Sequence, residues 1–271
     1  FAFWARFPVW IMGGCLVLTV GAFCFQLAGP AASVTGAILV ALSPNLLAHG
    51  RLATTDLGCA ALMFGAVWCL WRSVESNRPA DWIMLGVVTG LALLAKFTAL
   101  LLCPAFVVLS LYELKRKAVA IADLTKGGAI AAGCIILLLF IGYDFANGPA
   151  LYLQGLDAIY SRFTQGYQFY LLGSIASESI WYYHPVAFLL KTPEPTILLT
   201  GIAAWAVIRS PRLRRPALYL LVPVLLVVVA SIFDRANIGL RRILPAYPFL
   251  FAFIAIAASD KPCRMCQRVY I

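Results

Sequence analysis

Residues 127–143 read GGAIAAGCIILLLFIGY, a run without one charged side chain. A helix that crosses a bilayer needs about 20 predominantly apolar residues, and this run with its flanks, 127–146, supplies them. It shows none of the polar-in, apolar-out alternation of a barrel strand. In lipid every backbone group must bond internally, which leaves helices or a closed barrel. The run predicts a membrane-spanning helix.

Outward from it, the chain repeats the pattern. Apolar runs near 8–28, 30–48, 57–71, 82–95, 97–112, 185–208, 216–233 and 243–258 bring the expected number of helices to about nine. Composition agrees: 63% of the 271 residues are hydrophobic and 12% charged, against roughly 45–50% and about 25% in soluble domains. The expected fold is all-α, a polytopic transmembrane bundle forming one domain over 1–271. Six of the eight cysteines (Cys15, Cys24, Cys59, Cys69, Cys103, Cys134) lie in apolar runs, where they serve as small hydrophobes. Cys263 and Cys266 form a single Cys-x-x-Cys, without the second half of a zinc site.

A net charge of +10 in a soluble protein would suggest nucleic acid. Here it marks cytoplasmic loops and anionic lipid heads, and no nucleic-acid partner is expected. Lys and Arg cluster at 72–78, 113–126, 209–215 and in the tail 259–271. Threading nine helices puts all four regions on one side, the cytoplasm by the positive-inside rule. The protein is expected in the bacterial inner membrane. On this threading the first visible helix runs inward from Phe1, which predicts an earlier helix and outer loop upstream. The outer side then holds 49–56, the tip at Lys96, 147–184 and 234–242. The long segment 147–184 carries Leu151, Leu153, Leu156, Ile159 and Tyr160 among Gln154, Asp157 and Arg162, the pattern of a helix lying on the membrane surface.

Three polar stretches share that outer side. Ser43-Pro-Asn-Leu-Leu-Ala-His-Gly-Arg-Leu-Ala-Thr-Thr-Asp56 closes one helix and opens the next. Thr54, Thr55 or Asp56 would serve as a helix cap, but capping leaves His49 and Arg51 unexplained. Tyr182-Tyr-His-Pro-Val-Ala-Phe-Leu-Leu-Lys-Thr-Pro-Glu-Pro195 sets Lys191 before two prolines that break helical bonding. Its alternatives are a cavity-facing charge or a snorkelling lysine. Asp234-Arg-Ala-Asn-Ile-Gly-Leu-Arg-Arg-Ile-Leu-Pro245 places Arg241 and Arg242 on the outside, against the positive-inside bias. Guanidinium groups suit phosphate; lipid headgroups or pairing with Asp234 would also account for them.

These residues resemble glycosyltransferase family 39, the GT-C-type group that includes protein O-mannosyltransferases and the lipid A aminoarabinose transferase. The likeness rests on Ser43–Asp56, on Gly86-x-x-x-Gly90 through Lys96, on Tyr170–Gly173 through Tyr183 to Lys191-Thr-Pro193, and on Asn237 to Phe249. It implies inverting transfer of a sugar from a polyprenyl-phosphate donor to a lipid, glycan or protein acceptor outside the cytoplasm. It implies Asp56 as a supporting acid, the main base lying in an earlier outer loop. It implies substrate contacts from Arg241, Arg242, Lys191, His49, Arg51, Lys96 and Tyr183. Arg241 matches the arginine of the family's Arg-Tyr-Ile-Leu-Pro element, while Arg242 stands where tyrosine is usual. A divalent metal stays open, since Asp56 and His49 alone do not define a site. The alternatives are a transporter or flippase of an anionic lipid-linked substrate, or a non-catalytic scaffold. Polar residues on one face and no repeat favour an enzyme.

Overall fold

The computed structural model describes residues 2–143, 145, 147–164, 168–176, 180–233 and 237–259. The tail cysteines and cations, Asp234, the side chain of Arg162, and Gly166 with Tyr167 lie outside the described residues.

The apolar runs become helices. They are α1 (Ala2–Ala28), α2 (Pro30–Ala41), α3 (Pro44–Gly50), α4 (Asp56–Ser76), α5 (Pro79–Ala95), α6 (Leu102–Lys115) and α7 (Ile121–Gly142). Then come α8 (Gly148–Thr164), α9 (Tyr183–Lys191), α10 (Glu194–Arg209), α11 (Pro211–Ile232) and α12 (Ala246–Ala257). Among the described residues five helices are long and apolar enough to cross a membrane, or seven counting two bent pairs, and α5 and α12 are shorter apolar helices. Each of the nine expected runs is thus found.

Two of the runs are broken, the second at the prolines read as breaking helical bonding. The 30–48 run bends by 55° between α2 and α3, where Pro44 starts a new helix and Ser43 Oγ accepts from the Leu46 N–H. The 185–208 run bends by 107° between α9 and α10. Thr192, extended before Pro193, cannot continue the helix. The boundaries differ elsewhere too. Lys126 lies inside α7, and Arg212, Arg214 and Arg215 inside α11, because cations at a helix end do not interrupt its backbone bonding. Within 147–184 the helix is α8, followed by an unexpected hairpin pairing Phe169–Leu171 (β1) with Ser174–Ala176 (β2). Its turn uses Leu172 and Gly173, both at positive φ.

Burial sorts the helices. Of the most apolar window in α4, 72% is buried, against 17% in α7. So α4 is central and α7 turns its Ile136, Leu137 and Ile141 outward, as lipid contact requires. Helix α12 is buried from Ala246 to Ile256 and touches α1, α2, α4, α10 and α11. Phe64 on α4 packs against Phe249 on α12 with ring centroids 5.0 Å apart. Helix α7 approaches α5 closely because the facing positions are glycine. A Cβ at Gly86 would stand 2.5 Å from the Ala131 carbonyl oxygen, and one at Gly127 would run into the Trp82 ring.

Side-chain bonds define the two ends. Ser259 Oγ donates to Ala28 O at 2.7 Å and Arg212 donates to Ser259 O at 3.2 Å. The ends of α1 and α12 and the start of α11 therefore lie together. Arg215 binds there to both Glu75 and Glu113, with its Nε 2.8 Å from Glu113 and its guanidinium 4.2 Å over the Trp71 ring. The alternating direction of the helices leaves the start of α4, the end of α5 and the start of α12 at the opposite end.

Candidate active site

Asp56 is the first residue of α4, and Thr55 before it makes no side-chain capping bond. Both Asp56 oxygens face cations. Lys96 Nζ lies 2.5 Å from Oδ1, and Arg241 Nε donates to Oδ2 at 2.9 Å. The carboxylate is 1% exposed, Lys96 22% and Arg241 46%. The acid is buried and the cations reach over it from the open side, leaving one net positive charge.

Each cation is placed by an irregular backbone. Lys96 is extended, between the end of α5 and a 3-10 turn over Phe97–Leu101, so its side chain leaves the helical track and turns to α4. Arg241 sits in a second 3-10 turn, Gly239–Arg242. Gly239 takes φ +79°, a conformation that favours glycine. A Cβ at Gly239 would stand 4.0 Å from the hydroxyl of Tyr183. Tyr183 is buried, so its contact is with the turn that carries Arg241.

A second network ties the broken helices to this end. Asn45 Nδ2 on α3 donates to Lys191 O at 3.1 Å, and Thr192 Oγ1 and Tyr247 Oη lie 2.7 Å apart. The Lys191 ammonium itself is exposed. His49 donates through Nδ1 to Asn45 O at 2.8 Å, within its own helix. That local bond occupies the Nδ1 nitrogen. Among the described residues no group of three or more His, Cys, Asp or Glu gathers as a metal site would. Arg51 is exposed beside an apolar cavity on the α1 side. Arg242 lines a different cavity of about 230 Å³, with Phe97, Leu156 and Val227. Tyr152 on α8 packs 4.8 Å from Phe97, and burial pushes its phenol well above the ordinary range.

Sequence reading placed Lys96 on the outer side without its partner. The available signal was its isolation as a lone charge between two apolar runs. Asn45, Thr192 and Tyr247 were not singled out, since ordinary polar residues beside prolines carry no distinguishing pattern.

A family model described as dolichyl-phosphate-mannose-protein mannosyltransferase matches residues 2–143, more than half of the chain. The chain belongs to this mannosyltransferase family. The matched segment carries Asp56 and Lys96. Among solved structures, ArnT from Cupriavidus metallidurans bound to undecaprenyl phosphate is similar, with TM-score 0.61 and 18% identity. The match covers 98% of this chain and 48% of that one, so the chain spans about half the length of that structure. The likeness shows the GT-C fold and extends it through Lys191 and Arg241. No curated protein sequence matches the chain.

Proposed function

We propose that this mannosyltransferase-family chain belongs to an inverting transferase that moves a sugar from a polyprenyl-phosphate donor to an acceptor on the non-cytoplasmic side of the bacterial inner membrane. The observation carrying the reading is the meeting of Asp56, Lys96 and Arg241 at one end of the bundle, with positive charge left over and half of Arg241 open to an incoming group. The undecaprenyl phosphate of the similar ArnT structure supports the donor class.

An acceptor hydroxyl attacks the anomeric carbon, the bond from that carbon to the phosphate oxygen breaks, and its electron pair leaves with the lipid phosphate. Arg241 steadies that growing charge through the guanidinium donors its Asp56 bond leaves over. Lys191 and Arg242 add positive field. Asp56, already held by two cations, aims them and is assigned no proton; the hydroxyl proton goes to another carboxylate base. The acceptor is a lipid, glycan or protein.

The test is transfer by the full-length protein in membrane vesicles supplied with radiolabelled polyprenyl-phosphate sugar. Label should leave the donor lipid for a product of opposite anomeric configuration. Label that stays on the donor across lipid, glycan and peptide acceptors, or a product of retained configuration, overturns the reading.

A further inference from the structure

Leu57 follows Asp56 directly, yet it turns to the other side of the first turn of α4 and lines a cavity of about 310 Å³. A step of one residue around a helix is about 100°, and Asp56 is not among the residues that line this cavity. The cavity lies among α1, α2, α3 and α4, beneath the 55° bend, and its volume falls at the lower end of small-molecule sites. Small residues create the room. Gly13, Gly14 and Gly50 line it, and a Cβ at Gly14 would meet nothing within 4 Å. The lining is apolar apart from Arg51 and holds no carboxylate.

Two of its lining residues reach the outer surface of the bundle, Trp10 at 44% and Leu47 at 53% exposure. The cavity is therefore reachable from lipid. Arg51 is exposed at its edge, and among the described residues no carboxylate pairs with it. Asp56, the acid nearest in sequence, is already taken by Lys96 and Arg241. An apolar slot with one uncommitted guanidinium at its mouth is complementary to a hydrocarbon chain ending in an anionic head.

We propose that this cavity is a second lipid site, separate from the proposed donor site, which takes one chain of an anionic phospholipid with the phosphate on Arg51. It stands whether or not the chain transfers sugar, and its test reads binding alone.

The full-length protein, purified in detergent, is offered equal amounts of phosphatidylglycerol and phosphatidylcholine, and retained lipid is counted by native mass spectrometry. Phosphatidylglycerol should be retained at least tenfold over phosphatidylcholine. Arg51→Gln should remove that preference, and Gly14→Leu, which fills the slot from a position with free space, should cut retention of both lipids about tenfold. Arg78→Gln, an exposed arginine at the opposite end, should leave retention unchanged. Equal retention of the two lipids, indifference to Gly14→Leu, or a cross-link placing another segment of the protein in the cavity would overturn the proposal.

Discussion

Asp56 and Arg241 stand 185 positions apart in the chain and meet through a 2.9 Å bond between carboxylate Oδ2 and guanidinium Nε. The bond joins the start of α4 to the turn before α12, so a contact at the site also closes the fold. Lys96 completes it from a third element. Removing any one member changes both charge and architecture, and the two effects separate by variant.

Lys96→Met should destabilise the protein more than Arg241→Met. Stripping a partner from a buried ion pair costs about 3–5 kcal/mol, whereas a half-exposed partner is worth about 1 kcal/mol or less. Thermal unfolding in detergent reads the order. A larger loss from Arg241→Met would mean that Lys96 is not the principal partner of the acid.

Arg241→Ala should abolish sugar transfer by the full-length protein while membrane insertion continues. Arg241→Lys should not restore it, because a point charge lacks the planar fork that can hold a carboxylate and a phosphate together. Transfer assays on membranes with matched protein content check this. Transfer unchanged in Arg241→Ala removes the residue from the mechanism.

Much of this was legible beforehand, and the limits have physical causes. Apolar runs revealed the helices because lipid imposes length and internal bonding, and the gathering of Asp56, Lys96 and Arg241 at one end agrees with counting crossings. The break at Ser43 escaped, since hydropathy sums over a bend without registering it, whereas Pro193 and Pro195 signalled the one at Thr192. Lys96 was visible as an anomaly, but its bond to Asp56 spans 40 positions and depends on how α4 packs against α5. The burial of Tyr183 beside Gly239 was not legible, since it is a property of packing.

Thr192→Val and Tyr247→Phe should each destabilise by about 1–3 kcal/mol, the cost of leaving a buried hydroxyl without its partner. The double variant should cost less than the sum, because both polar groups then leave together. Unfolding free energies for the four proteins of this cycle give the coupling. Strict additivity would show that the 2.7 Å contact contributes nothing.

Gly86→Leu should disrupt the packing of α5 on α7 and cost at least the 1–3 kcal/mol of ordinary overpacking, about that range or above. Gly128→Leu, at a position where a Cβ meets nothing within 4 Å, should be tolerated. Comparing folded yield in detergent for the two variants tests how much the close approach of Gly86 to Ala131 contributes. Equal yields would argue against it.

The buried clasp of Arg215 with Glu75 and Glu113 joins α4, α6 and α11 at the end farthest from Asp56. Helix α4 is therefore fastened at both tips, by Arg215 at one and by Lys96 and Arg241 at the other. It has 21 residues, and at about 1.5 Å per residue a tilt of about 5° about the Arg215 pin would carry Asp56 roughly 3 Å. Either fastening thus guards the other, since a helix slackened at the far clasp would draw its acid out of reach of both cations.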